Sequence, residues 1–176
     1  WITAAVVCIV WITLVSFFRN PWRRIPADLP SGTMLSPADG IISAIDRVDH
    51  HEAVGGEAII IRVFLSVLNV HINRSPCTCV LKEMIYRKGR FLDARTEESA
   101  QVNESNLLIL DNNGEPLGVR QVSGKIARHI VCPLNAGDTL RQGQQFGMIK
   151  YGSTTELILP RPDDVTVFVQ KGDKVK

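Results

Sequence analysis

From Pro26 onward the apolar positions of this chain fall in short runs rich in Val, Ile and Leu, separated by Gly, Pro, Asn and Asp. Runs of that length and composition read as strands and are too short for helices. They predict strands at Ile41–Val48, Ala58–Leu65, Thr78–Arg87, Asn106–Asp111, Lys125–Val131, Gln145–Tyr151, Thr155–Leu159 and Val165–Gln170. No stretch after the first eighteen residues sustains the 3.6-residue period of an amphipathic helix. "DNNG" at 111–114 predicts a tight hairpin, because Asn and Gly tolerate positive φ. The mixed polar stretch 92–105 predicts a surface loop with a short helix, in which Glu97 and Glu98 form a solvated face.

A short motif occurs twice, as "GDTL" at 137–140 and "GDKV" at 172–175. Gly-Asp-x-apolar is a strand-entry turn, with Gly supplying the backbone freedom and Asp bonding the neighbouring backbone. Such turns recur in compact sandwiched barrels of the lipoyl- or biotinyl-carrier type. The expected fold is therefore mainly β, a single domain of that kind over residues 36–176, and the chain reads as continuing a few residues past Lys176.

The first eighteen residues differ: "WITAAVVCIVWITLVSFF" carries no charge, and Arg19, Arg23 and Arg24 follow it. About 17 to 25 apolar residues cross a bilayer, so residues 1–18 are expected to form a membrane helix at the short end of that range. A signal peptide would carry its basic residues before the apolar run instead of after it. Residues 19–35 read as a basic juxtamembrane linker, and their arginines place the following domain on the cytoplasmic side of the cell membrane. A start at Trp1 leads us to expect upstream sequence, such as the first arm of a membrane hairpin.

Composition narrows the function classes. A net charge of +2 over 176 residues gives no electrostatic reason to expect a nucleic-acid partner. Cys8, Cys77, Cys79 and Cys132 have no zinc-ligand spacing, and a cytoplasmic domain would keep them reduced as small apolar fillers. No metal is expected. His50, His51 and His129 read as surface or packing residues.

Three segments carry candidate chemistry. "KYGSTTELIL" at 150–159 has a Gly-Ser-Thr interrupting what otherwise reads as one strand entering the next. It fits a plain turn, or a serine hydroxyl set beside the unshielded carbonyl of Gly152. "SPADG" at 36–40 puts Asp39 in a Pro-preceded turn. "FLSVLNVHINRSP" at 64–76 runs from a buried strand into a polar loop with His71 and Arg74. Asp39, His71 and Ser153 together supply the residue types of an activated-serine triad: a base for the hydroxyl proton, and a carboxylate to orient it.

"FFRNPWRRIP", "SPADG", "FLSVLNVHINRSP" and "YGST", in this order, resemble the phosphatidylserine decarboxylase family, in particular its short bacterial and archaeal branch, whose members include archaetidylserine-decarboxylase-like proteins. The resemblance covers nearly the whole chain. It implies self-processing, in which Ser153 attacks the carbonyl of Gly152, the peptide becomes an ester, and β-elimination splits one precursor into two chains. The smaller chain would begin with a pyruvoyl group made from Ser153, which forms a Schiff base with the substrate amine and accepts the electrons left by CO2. The implied substrate is the phospholipid phosphatidylserine and the product phosphatidylethanolamine.

Longer members of the family have a second histidine where this chain has Arg74, so the resemblance leaves the roles of His71 and Arg74 to be divided. A guanidinium at Arg74 suits the lipid phosphate and equally suits a structural ion pair. Two other classes stay open: a non-catalytic membrane-tethered β domain that binds lipid or protein, and a carrier domain with Lys125 as its modified lysine. A homo-oligomer is compatible with the sequence.

Overall fold

The computed structural model describes residues 1–125, 129–150 and 152–176, with the side chain of Thr13 excepted. Helix α1 (Ile2–Phe17) is followed by a long irregular segment and then by strands β1 (Gly40–His51), β2 (Gly56–Leu65), β3 (Ile72–Arg74) and β4 (Cys79–Arg87). A short helix α2 (Glu97–Val102) precedes β5 (Ser105–Asn112), β6 (Glu115–Val122), β7 (His129–Val131), β8 (Thr139–Leu140), β9 (Gln145–Lys150), β10 (Ser153–Pro160) and β11 (Lys174–Val175). The fold is mainly β, and its larger sheet is curled into a half-barrel.

That sheet has the antiparallel order β11-β1-β2-β10-β6-β5-β4-β8, and a second sheet has the order β3-β9-β7. Along β2, β5, β6 and β10, alternate residues point into the curl, as the two-residue period of a strand requires. Ile59, Ile61, Val63, Leu108, Leu110, Leu117, Val119, Leu157 and Leu159 meet there with Leu81, Leu140 and Phe146. Cys77 and Cys79 are buried in this core and Cys132 packs at its margin, so three of the cysteines do act as small apolar fillers. A smaller cluster on the opposite face joins Ala53, Ala58, Ile60, Leu107 and Ile158.

The two Gly-Asp turns start the two edge strands, β8 and β11, at opposite ends of the sheet. They are built alike. Gly137 and Gly172 have φ of 95° and 99°; Asp138 Oδ2 accepts from Asn135 N–H, and Asp173 Oδ2 from Gln170 N–H, each at 2.8 Å. Gly137 N–H donates to Leu81 O at 2.7 Å and Gly172 N–H to Ile42 O at 2.8 Å. The likeness extends to Ser36-Pro37 and Ser75-Pro76, whose serine hydroxyls each donate two residues ahead, to Ala38 O and Cys77 O, at 2.7 Å. Arg74 N–H donates to Pro37 O and Leu35 N–H to Pro76 O, both at 2.9 Å, so the two segments embrace each other reciprocally. The chain thus contains an internal repeat.

Several sequence expectations need correction. Val165–Gln170 is not a strand. Val165, Val167 and Val169 alternate inward against the core, but the segment forms no ladder among the described residues and packs on the core as a strap. Of the run Lys125–Val131, only His129–Val131 is a described strand, and residues 126–128, like Tyr151, lie outside the described residues. Strand β6 was absent from the expected set although the hairpin turn before it was present, because Pro116 and Gly118 break its apolar pattern. Helix α1 spans 16 residues, and no helix among the described residues is long and apolar enough to cross a membrane.

Candidate active site

The Gly-Ser-Thr segment is where the chain leaves one sheet for the other. Strand β9 belongs to the small sheet and ends at Lys150, whereas β10 begins at Ser153 in the middle of the large sheet between β2 and β6. Changing sheets within two residues demands a backbone that L side chains rarely adopt, and Gly152 supplies it with φ of 72°. Ser153 therefore enters the core at once. It is fully buried, and its hydroxyl has no hydrogen-bond partner among the described residues. Buried hydroxyls are ordinarily paired, so an orphan at this junction stands out.

His71 faces this junction. Its Nδ1 lies 2.9 Å from Asn69 O, and its Nε2 accepts from Gly152 N–H at 2.9 Å. The carbonyl accepts only from an N–H, and Nε2 accepts only through a lone pair, so the ring is the neutral tautomer protonated at Nδ1. The ring is fully buried and stacked obliquely on Phe17, with centroids 4.4 Å apart. Burial pushes its pKa down to about 4, aided by the positive charge of Arg19 and opposed by the Asn69 carbonyl. Asn69 is itself fixed: its Oδ1 accepts from Ser66 N–H at 2.8 Å and from Ser66 Oγ–H at 2.6 Å.

A buried polar network extends from there. Asn73 Nδ2 donates to Thr155 Oγ1 at 2.9 Å, Gln121 Nε2 to Asn73 Oδ1 at 2.8 Å, and Asn106 Nδ2 to Gln121 Oε1 at 3.1 Å. These side chains come from β3, β10, β6 and β5, and all four residues are buried. The concave face of the large sheet is thus apolar at one end and polar at the other. The polar end also holds Ser123, buried with an unpartnered hydroxyl, and Gly124, where a Cβ would stand 2.2 Å from Gly152 O.

Asp39 and Arg74 sit differently from a simple triad. Register places Ile41 opposite Phe64 and Ser153 opposite Leu65. Asp39 is then two strand spacings, roughly 10 Å, from the serine backbone. Its carboxylate pairs with Arg23, and the group that orients His71 is the Asn69 carbonyl. Asp39 and Asn69 line one cavity of about 470 Å³ with Arg19, Arg23, Lys174 and Lys176. Arg74 directs its guanidinium to Gly143 O at 3.1 Å, Asn20 Oδ1 at 2.6 Å and Pro21 O at 3.4 Å, tying the segment after α1 to the small sheet. Lys125 is exposed on a bend, His129 and His50 are exposed, and His51 Nδ1 accepts from Ala53 N–H at 3.1 Å.

The residues that sequence reasoning missed are Gln121, Ser123, Gly124 and Thr155. For Gln121 and Ser123 a signal was present: Leu117, Val119, Gln121 and Ser123 alternate on one face, so the apolar members imply that the polar ones also point inward.

Comparison with known proteins identifies the family. The family model described as phosphatidylserine decarboxylase matches residues 12–176. A protein of Carboxydothermus hydrogenoformans named phosphatidylserine decarboxylase proenzyme is 40% identical over 169 residues, covering 96% of this chain and 78% of the relative. Proteins of the same name from Rhodopirellula baltica and Desulfotalea psychrophila are 41% and 40% identical over 179 and 161 residues, covering 99% and 91% of this chain and 73% of each relative. The chain belongs to the phosphatidylserine decarboxylase family.

Proposed function

We propose that this chain is a proenzyme that cleaves itself between Gly152 and Ser153 and then decarboxylates phosphatidylserine to phosphatidylethanolamine. The observation that carries the reading is the buried, unpartnered Ser153 hydroxyl directly after a positive-φ glycine, with the neutral His71 ring on the same junction. Once released from Gly152 N–H, His71 Nε2 takes the Ser153 proton as Oγ bonds to the Gly152 carbonyl carbon. Collapse of that adduct breaks the Gly152 C–Ser153 N bond, and the nitrogen leaves with the proton returned by His71. Loss of the Ser153 Cα proton then cleaves Cβ–Oγ, frees the Gly152 carboxylate and leaves a dehydroalanine, whose imine tautomer takes up water and releases the nitrogen as ammonia to give the pyruvoyl ketone.

The residues present fit a pyruvoyl group at position 153, because Gly124 lets the backbone approach the Gly152 carbonyl where any Cβ would stand 2.2 Å from its oxygen. Such a group supplies a ketone that captures the substrate amine and an electron sink for the departing CO2. Phe17 packs on the His71 ring and Leu65 lies opposite Ser153, so apolar side chains flank the junction. We assign the substrate phosphate to the cavity where Arg19, Arg23, Lys174 and Lys176 supply positive charge. Arg74 would reach a phosphate only by releasing Asn20 and Pro21. Asp39 holds Arg23 in place within that cavity.

The same reading places the protein on a membrane. Helix α1 exposes apolar side chains including Val6, Val10, Trp11 and Val15, and Trp22 and Leu68 extend the exposed apolar surface beyond the helix. With Arg19, Arg23 and Arg24 alongside, this surface suits the anionic cytoplasmic leaflet. The paired Gly-Asp turns at the two sheet edges favour a sandwiched barrel of the carrier type as the fold's closest description.

The deciding experiment is the intact mass of the purified chain under denaturing conditions. Two fragments meeting between Gly152 and Ser153, the smaller beginning with pyruvoyl, support the reading. A full-length chain that persists, or decarboxylation by Ser153→Ala, replaces it with a non-catalytic domain of the same fold or a different enzyme.

A further inference from the structure

Strand β6 pairs with β10 with Val122 opposite Thr154. The next pair in that register is Ser123 with Ser153, and the one after is Gly124 with Gly152. The close approach of Gly124 to Gly152 O shows independently that the register continues past the end of β6. Residues directly opposite in an antiparallel pair point to the same face with Cβ atoms about 4.5–5.5 Å apart. Both serines are fully buried and neither hydroxyl has a partner among the described residues.

The Ser123 backbone is held firmly: its N–H donates to Glu104 O at 2.8 Å, and its carbonyl accepts from Asn103 Nδ2 at 2.9 Å. Its backbone is thus held on both sides, while its hydroxyl is left without a partner among the described residues. A donor that is preorganised but unused in the ground state contributes fully only when charge develops beside it. Charge develops here at one atom, the Gly152 carbonyl oxygen.

We infer that Ser123 donates the hydrogen bond that receives the oxyanion formed on Gly152 during self-cleavage, an inference that rests on the self-cleaving reading above. As Ser153 Oγ bonds to the Gly152 carbon, the C=O π pair moves to oxygen and the Ser153 proton moves to His71 Nε2. Ser123 Oγ–H binds that oxygen while the adduct lasts. When C=O re-forms, the C–N bond breaks, the nitrogen takes the proton back, and Ser123 keeps its own. No proton is exchanged with Ser123, so any hydroxyl at this position serves and an alkyl group does not.

The test follows first-order cleavage of freshly made full-length chains by denaturing electrophoresis. Ser123→Ala cleaves about a hundredfold more slowly than the unsubstituted chain, in the range found when one oxyanion donor is removed. Ser123→Thr retains the hydroxyl and stays within about tenfold. A second measurement separates this from folding. In uncleavable Ser153→Ala chains, adding Ser123→Ala leaves the melting temperature unchanged or raises it, because the hydroxyl removed had no partner to lose. Cleavage of Ser123→Ala at the unsubstituted rate overturns the inference and leaves the self-cleaving reading standing; so does a clear fall in melting temperature that accounts for the slowing. An unsubstituted chain that never cleaves overturns both.

Discussion

At the residue scale, His71 is the side chain whose surroundings decide the most. A buried imidazole bonded through Nδ1–H and accepting at Nε2 is a base that stays neutral at physiological pH, which the first proton transfer requires. The same depression makes stability depend on pH. Its folded pKa, about 4, lies below the ordinary value of 6.5. The unfolded chain therefore binds more protons between those values, and stability is fully present above 6.5 and lost as pH falls towards 4. His51, also lowered chiefly by burial, works in the same direction. For His71 the displacement from 6.5 to about 4 corresponds to roughly 3 kcal/mol. Urea unfolding of Ser153→Ala between pH 7 and 4.5 is expected to show most of that loss, and His71→Gln, which has nothing to protonate, to show much less. Equal slopes for both proteins would place the titration elsewhere.

At the element scale, the site exists because two sheets meet over one polar patch, and the amide chain Asn106–Gln121–Asn73–Thr155 joins them. Gln121 is its middle member. Replacing it with Leu keeps similar volume but leaves Asn73 Oδ1 buried without its partner and takes from Asn106 Nδ2 its bond to Gln121. Each such group costs about 1–3 kcal/mol, so Gln121→Leu is expected to lower the unfolding free energy of Ser153→Ala by roughly 2–5 kcal/mol, and to slow cleavage by loosening β3, which follows His71 directly. A variant as stable as its parent in a denaturant titration would show that the network is not holding the sheets together.

Much of this arrangement was legible in the sequence where the pattern is local. β1, β2, β4 and β5 announce themselves as Val, Ile and Leu runs, and the Asp111 turn carries its own signal, with Gly114 N–H donating to Asp111 Oδ1 at 2.7 Å. Ser153 and His71 could be singled out by residue type and neighbours. What could not be read is the junction between sheets, because the partners of His71 are a backbone carbonyl and a backbone N–H, and neither leaves a trace in side-chain identity. The strap 165–169 misled for the converse reason: alternating valines report burial on one side, but a ladder also needs a neighbouring strand.

At the scale of the whole molecule, the internal repeat places matching Gly-Asp turns at both edges of the large sheet, while the Gly152–Ser153 junction lies near its centre on β10. The segment after α1 is tied to that body through Arg74 with Asn20, Arg23 with Asp39, and Arg19 with Leu68 O at 2.6 Å. The exposed apolar helix is therefore fixed beside the loop that holds His71, and Phe17, its last residue, covers the imidazole. Membrane contact through α1 would bring the bilayer surface to the mouth of the site without any large motion. Arg19, Arg23 and Arg24 would each strengthen attraction to anionic lipid by about 1 kcal/mol at the surface. The full chain is expected to cosediment with vesicles containing phosphatidylserine, and a chain lacking residues 1–16, which keeps Phe17 over His71, to bind them only weakly and to release in high salt, since the remaining attraction is electrostatic and screened. If the shortened chain still sediments completely at high salt, the apolar contact lies outside α1, and Trp22 with Leu68 becomes the surface to substitute next.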